Sequence, residues 1–144
     1  MISKIGGGGG DNGYQFGITN NNQNIYCQFN ASGEPWATNA AVAVLGSAVP
    51  VGQWSHVVCT YDHSDLDIYL NGALVGSSAI GPKTVVDSSS NFRISRDDNG
   101  AVLFHGAIDE AKVYNTALSP AQIASAVSCV YWANPVSGNW ALIC

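Results

Sequence analysis

The chain has 144 residues and a formal net charge of −5, with 10% charged and 47% hydrophobic residues. That balance excludes a disordered chain and a coiled coil or long-helix protein, and five Lys and Arg are too few for a row of phosphate contacts, which excludes nucleic-acid binding. One domain with a real core fits the length, and 16 glycines point to many turns. The neutral surface suits an extracellular or wall-facing protein.

No apolar run approaches the ~20 residues needed to span a bilayer. The opening MISKIGGGGG lacks the apolar stretch of a signal peptide. The alternatives are a cytosolic chain and one separated from its export signal.

Strand patterns dominate in chain order. Gly13–Ile18 alternates, and Asn24–Asn30 places Ile25, Cys27 and Phe29 on one face and Tyr26 and Gln28 on the other. Trp54–Tyr61 is a β-prone run in which Trp54 is expected to anchor the core. Asp65–Leu70 turns Leu66, Ile68 and Leu70 inward and Asp65, Asp67 and Tyr69 outward. Asn71-Gly72 follows as a hairpin signal, because both central residues of a type I′ turn need positive φ. Ala73–Gly76 returns as the partner strand. Asn91–Ser95 and Val102–His105 flank Asp97-Asp98-Asn99-Gly100 as a second hairpin, and Ile108–Tyr114 reads as one more strand. Ser119-Pro120-Ala121-Gln122 is a capping box opening a helix from about Pro120 to Val127. Tyr131–Cys144 reads as a strand, a Pro/Gly turn and another strand. Together these predict an all-β chain, an antiparallel sandwich or jelly roll with one short C-terminal helix.

The four cysteines, Cys27, Cys59, Cys129 and Cys144, allow three pairings and include no Cys-x-x-Cys pair for zinc. Cys27 and Cys59 sit in apolar strand patterns and read as buried free thiols. Cys129 and Cys144 flank the terminal hairpin and are candidates for a disulfide.

Val51-Gly52-Gln53-Trp54-Ser55-His56-Val57, Thr60-Tyr61-Asp62 and Ile68-Tyr69-Leu70-Asn71-Gly72 resemble the laminin-G-like branch of the concanavalin A-like lectin/glucanase superfamily. So do Phe104–Glu110, Val113-Tyr114-Asn115 and Ala117-Leu118-Ser119, and the opening Ile2-Ser3-Lys4 with Gly13-Tyr14 and Phe16-Gly17. The resemblance covers roughly residues 2 to 127. It implies a two-sheet jelly-roll sandwich and a secreted or cell-surface module that binds sugars or proteins. Family domains usually begin with one or two strands before the Ile-Ser-Lys element, and the tail after Val127 has no family counterpart. The expectation is a sandwich over residues 1–128 lacking its usual first strands. The tail of residues 129–144 is expected to supply a completing strand, in its own chain or exchanged into a homodimer partner.

Asp109 shares a face with Ala107, Ala111 and Val113 if Ala107–Val113 is a strand. A carboxylate on an apolar face needs partners. Backbone N–H groups of a turn or a Ca²⁺ with carbonyl oxygens would satisfy it, and related lectin-like folds often hold a structural Ca²⁺ at the corresponding aspartate. Glycoside hydrolysis needs two carboxylates at a set separation. Asp65 and Asp67 share a face, but the only glutamates are Glu34 and Glu110, so no catalytic residues are assigned and the two aspartates read as a solvated face. For a sugar, an aromatic platform with amide partners is expected at rim loops, from Asn20, Asn22, Asn24, Tyr26 and Trp36. The alternative is a protein-interaction or self-assembly module, and a degenerate hydrolase ranks last. Asn30-Ala31-Ser32 matches a glycosylation acceptor.

Overall fold

A computed structural model describes residues 2–5, 13–19, 24–31, 41–95, 104–127, 130–133 and 140–143. The strands run β1 (Ile2–Ile5), β2 (Gly13–Ile18), β3 (Asn24–Phe29), β4 (Ala41–Ala48), β5 (Val57–Tyr61), β6 (Asp65–Leu70), β7 (Ala73–Ala79) and β8 (Arg93–Ile94). Helix α1 (Pro120–Val127) follows, then β9 (Val130–Ala133) and β10 (Trp140–Ile143). Two antiparallel sheets form the body, a five-stranded one in the order β4-β3-β2-β1-β8 and a three-stranded one in the order β5-β6-β7. β9 and β10 pair with each other as a separate two-stranded sheet. The all-β sandwich with one short helix agrees with the expectation from sequence.

The core follows from strand alternation. Ile25, Cys27 and Phe29 are buried on one face of β3, and Leu66 and Ile68 meet them from β6. Phe16, Val57, Cys59, Tyr61 and Leu70 pack around this cluster. The Phe29 and Tyr61 rings join the two sheets with centroids 4.8 Å apart. The Tyr61 hydroxyl donates to Gly81 O at 2.8 Å and accepts from the Lys83 N–H at 2.6 Å, fixing the chain beyond β7 against β5.

Asn71 and Gly72 adopt φ of 50° and 82°, the two positive values that a type I′ hairpin requires. The Asn71 N–H donates to His56 O at 2.8 Å, and its side-chain Oδ1 accepts the His56 N–H at 2.9 Å. α1 is capped as its sequence predicts. Gln122 N–H donates to Ser119 Oγ at 3.3 Å, and Ser119 N–H donates to Gln122 Oε1 at 2.8 Å.

Four expectations change. Cys27 and Cys59 are not free thiols. They form a disulfide with a Cα–Cα distance of 6.3 Å that joins β3 to β5 and so bolts one sheet to the other. Cys129 and Cys144 lie outside the described residues. Trp54 is not in the core but 52% exposed, because β5 begins three residues later and nothing described covers its approach. The segment 107–114 alternates like a strand but pairs with no described strand, and Ile108, Val113 and Tyr114 are 37%, 59% and 55% exposed. Asn30 is 2% exposed, which closes it to a glycan in the folded state. The turn Asp97–Gly100 lies outside the described residues. Its flanks do meet, with Phe104 N–H donating to Ser95 O at 2.9 Å.

Candidate functional site

The face of the five-stranded sheet turned away from the core carries a polar set. Gln15 and Gly17 on β2 lie opposite Gln28 and Tyr26 on β3 in register. Ser3 lies opposite both Gln15 and Arg93. The row Gln28, Gln15, Ser3, Arg93 therefore crosses four strands on one face. It follows from period two, since along each strand these residues alternate with residues of the inner face, core residues on β2 and β3 and Ile2 and Ile94 on β1 and β8.

Gln28 Nε2 donates to Gln15 Oε1 at 2.9 Å, so the two amides hold each other in place across the strands. Next to them the Tyr26 ring passes over Gly17. A Cβ at Gly17 would stand 2.9 Å from Tyr26 Oη and 3.0 Å from Cε1 and Cζ, so the glycine is what makes room for the ring. Asn24 is two residues before Tyr26 on the same face. It closes the β2–β3 end, where Thr19 N–H donates to Asn24 O at 2.8 Å and Asn24 N–H donates to Thr19 Oγ1 at 3.1 Å. Tyr26, Gln15, Gln28, Asn24 and Arg93 are all half-buried. The arrangement offers an aromatic ring seated on backbone and flanked by amides, with Arg93 further along the same row.

Of the residues expected to bind a ligand, Asn24 and Tyr26 stand here, on a sheet face rather than a rim loop. Asn20, Asn22 and Trp36 lie outside the described residues. Gln15, Gln28, Gly17 and Arg93 were not singled out from sequence. The alternation of GYQFGI and NIYCQF was the available signal, but only the pairing register puts Gln15 beside Gln28.

Asp109 is exposed rather than inward. Its Oδ1 accepts the backbone N–H of Glu110 at 2.9 Å, a turn contact that holds Glu110 at φ 50°. Calcium takes six to eight oxygen ligands. Among the described residues no three His, Cys, Asp or Glu side chains gather at one place.

Asp65 and Asp67 lie on the outer face of β6, with Asp67 Oδ2 accepting from Tyr69 Oη at 3.5 Å. Burial, and then the Asp67 charge, push the Tyr69 hydroxyl above its ordinary range. Asp62 sits at the β5–β6 turn and accepts the N–H groups of Ser64 and Asp65, each at 2.8 Å. Those hydrogen bonds hold its carboxyl below the usual range. No described glutamate stands with these aspartates to supply the second carboxyl of a glucanase.

A family model of the concanavalin A-like lectin/glucanases superfamily, of the laminin G type, matches residues 1–124. The chain belongs to that superfamily. Among solved structures the laminin-G-like domain is similar to an S-layer domain-containing protein from Clostridium thermocellum, known from a 2.1 Å crystal structure. The two are 23% identical with a TM-score of 0.43, over 81% of this chain and 64% of that one. A search of curated proteins finds no match to the domain.

Proposed function

We propose that this laminin-G-like domain is a non-catalytic carbohydrate-binding module acting at the cell surface or beyond it. The observation that carries the reading is the Tyr26 ring seated over Gly17, beside the Gln15–Gln28 amide pair and Asn24. A sugar ring has an apolar C–H face that stacks on an aromatic and hydroxyls that need donors and acceptors, and this sheet face presents both kinds of partner. Half-burial matters too, since side chains already held in place lose little entropy on binding. The Cys27–Cys59 disulfide supports an extracytoplasmic setting, because structural disulfides persist in oxidising compartments.

The test is a glycan array followed by calorimetry on any hit, comparing the native chain with Tyr26→Ala and Gln28→Ala. Loss of the aromatic platform should weaken binding by up to about tenfold. Silence across neutral and acidic glycans, or binding that Tyr26→Ala leaves unchanged, refutes the assignment.

A further inference from the structure

The two sheets differ in width. Five strands face three, so two strand positions, roughly 10 Å of sheet, have no counterpart among the described residues. The principal contacts between the sheets run from β4 to β6 and β7 and from β3 to β6. The disulfide sets β5 opposite β3. The uncovered positions therefore lie beyond β5, above the inner face of β2, β1 and β8.

Exposure along that face agrees. Cys27, Phe16, Ile2 and Ile94 form one cross-strand row by register. Cys27 is 8% exposed, Phe16 and Ile2 are half-buried, and Ile94 is 44% exposed. The cover runs out as the row leaves β3. Ser55 Oγ and His56 Nδ1, at the entrance to β5, are buried without a hydrogen-bond partner.

The outer edge of β5 is a specific acceptor. Hydrogen bonds from Asn71 N–H to His56 O and from Asp62 N–H to Asp65 O bracket the strand. With the one-to-one register between them, His56, Val58, Thr60 and Asp62 face β6. Val57, Cys59 and Tyr61 turn their N–H and C=O groups to the open side, where no described strand pairs with them.

We propose that the C-terminal hairpin β9–β10 docks along this edge and closes the sandwich within one chain. The hairpin has two strands for two positions. It is bonded to neither large sheet, and every residue of its sequences, VYWA and WALI, is apolar or aromatic. Such a two-stranded unit is at best marginal alone in water. Its point of departure also fits. The end of α1 lies at the β6–β7 turn, with Val127 Cγ2 3.3 Å from where a Gly72 Cβ would stand. The β6–β7 turn is at the same end of the sheet as Val57, which pairs with Leu70. Three residue steps reach at most about 10 Å of extended chain, about the two strand spacings from β6 to a position outside β5.

Residue-resolved amide hydrogen exchange on the full chain tests this, with Ala141→Pro to break the hairpin ladder and Ile94→Asp to charge the floor. Closure protects the Val57, Cys59 and Tyr61 amides, and each variant lowers that protection about 100-fold. Val58 and Thr60, bonded to β6, keep theirs. Ile94 is already 44% exposed, so its variant reads the docking even if Ala141→Pro fails to fold. Edge amides that exchange alike in the native chain and Ile94→Asp overturn the proposal. Light scattering should give a monomer. A dimer would assign the strands to a second copy and overturn closure within the chain.

Discussion

Removing the Cys27–Cys59 disulfide is the sharpest perturbation of this fold. The bond closes a loop with a sequence separation of 32 residues. Opening a loop of that size returns about 12 cal/mol/K of entropy to the unfolded chain, or about 4 kcal/mol at 25 °C. Domains are stable by only about 5–15 kcal/mol, so a quarter or more of the total rests on one bond. The melting midpoint should fall by roughly 15 °C. Two perturbations separate the contributions. Reduction in a Cys129→Ser/Cys144→Ser background keeps both sulfurs and reads the loop effect alone. Cys27→Ala/Cys59→Ala also removes the sulfurs from the core, where Cys27 is 8% exposed, and should cost more. Urea unfolding with matched slopes gives the free energies. A difference under about 1 kcal/mol between oxidised and reduced protein would refute the reasoning, as would alkylation showing a free thiol at Cys27.

Three further outcomes follow from named residues. Gly17→Ala places a methyl about 3 Å from the Tyr26 ring, so it should displace the ring and weaken glycan binding in the array as Tyr26→Ala does, while the melting point moves by little more than an ordinary strand substitution. Asp109→Ala should cost no more than about 0.5 kcal/mol, because Asp109 is exposed and its contact is to the next residue; a loss of 2 kcal/mol in thermal unfolding would reveal a bound partner or metal at that carboxylate. Burial first, and then the Lys112 cation, hold His56 below its ordinary value of 6.5. The unfolded chain therefore takes up the proton first, and the stability contribution, complete above that value, is lost as pH falls through it toward the depressed folded value. Melting points from pH 8 to 5 should show this slope in the native chain and a flatter one in His56→Gln.

The legible parts of the fold are those where a local pattern and a neighbour agree. Asn24–Phe29 alternates strictly, lies between two strands, and buries the three residues that the alternation selects. Ala41–Ala48 has no polar alternation and gives no strand signal, yet β3 supplies a pairing edge and it becomes β4. The segment 107–114 is the converse, with a strand's pattern and no partner among the described strands, and Asp109 is exposed. Period two says which side chains share a face, and only an adjacent edge makes the strand. The disulfide was hidden for a similar reason. Cys27 and Cys59 each look apolar locally, and the bond depends on how the two sheets are stacked. At the candidate site Tyr26 and Asn24 stood out as residue types, whereas Gln15, Gln28 and Gly17 acquire meaning only through cross-strand register.

The unequal cover of the five-stranded sheet also bears on how the molecule comes apart. β3, β6 and the cross-link between the sheets lie in the half that faces β5, β6 and β7, while β1 and β8 lie beyond those three strands. Opening β1 and β8, together with the hairpin proposed to cover them, breaks no covalent link and leaves the cross-linked half in place, so it costs less than global unfolding. It should proceed with the disulfide intact and the β5-β6-β7 meander still folded. Unfolding is then a sequence of two events rather than one, and a protease would reach the N-terminal strand well before it reached the core.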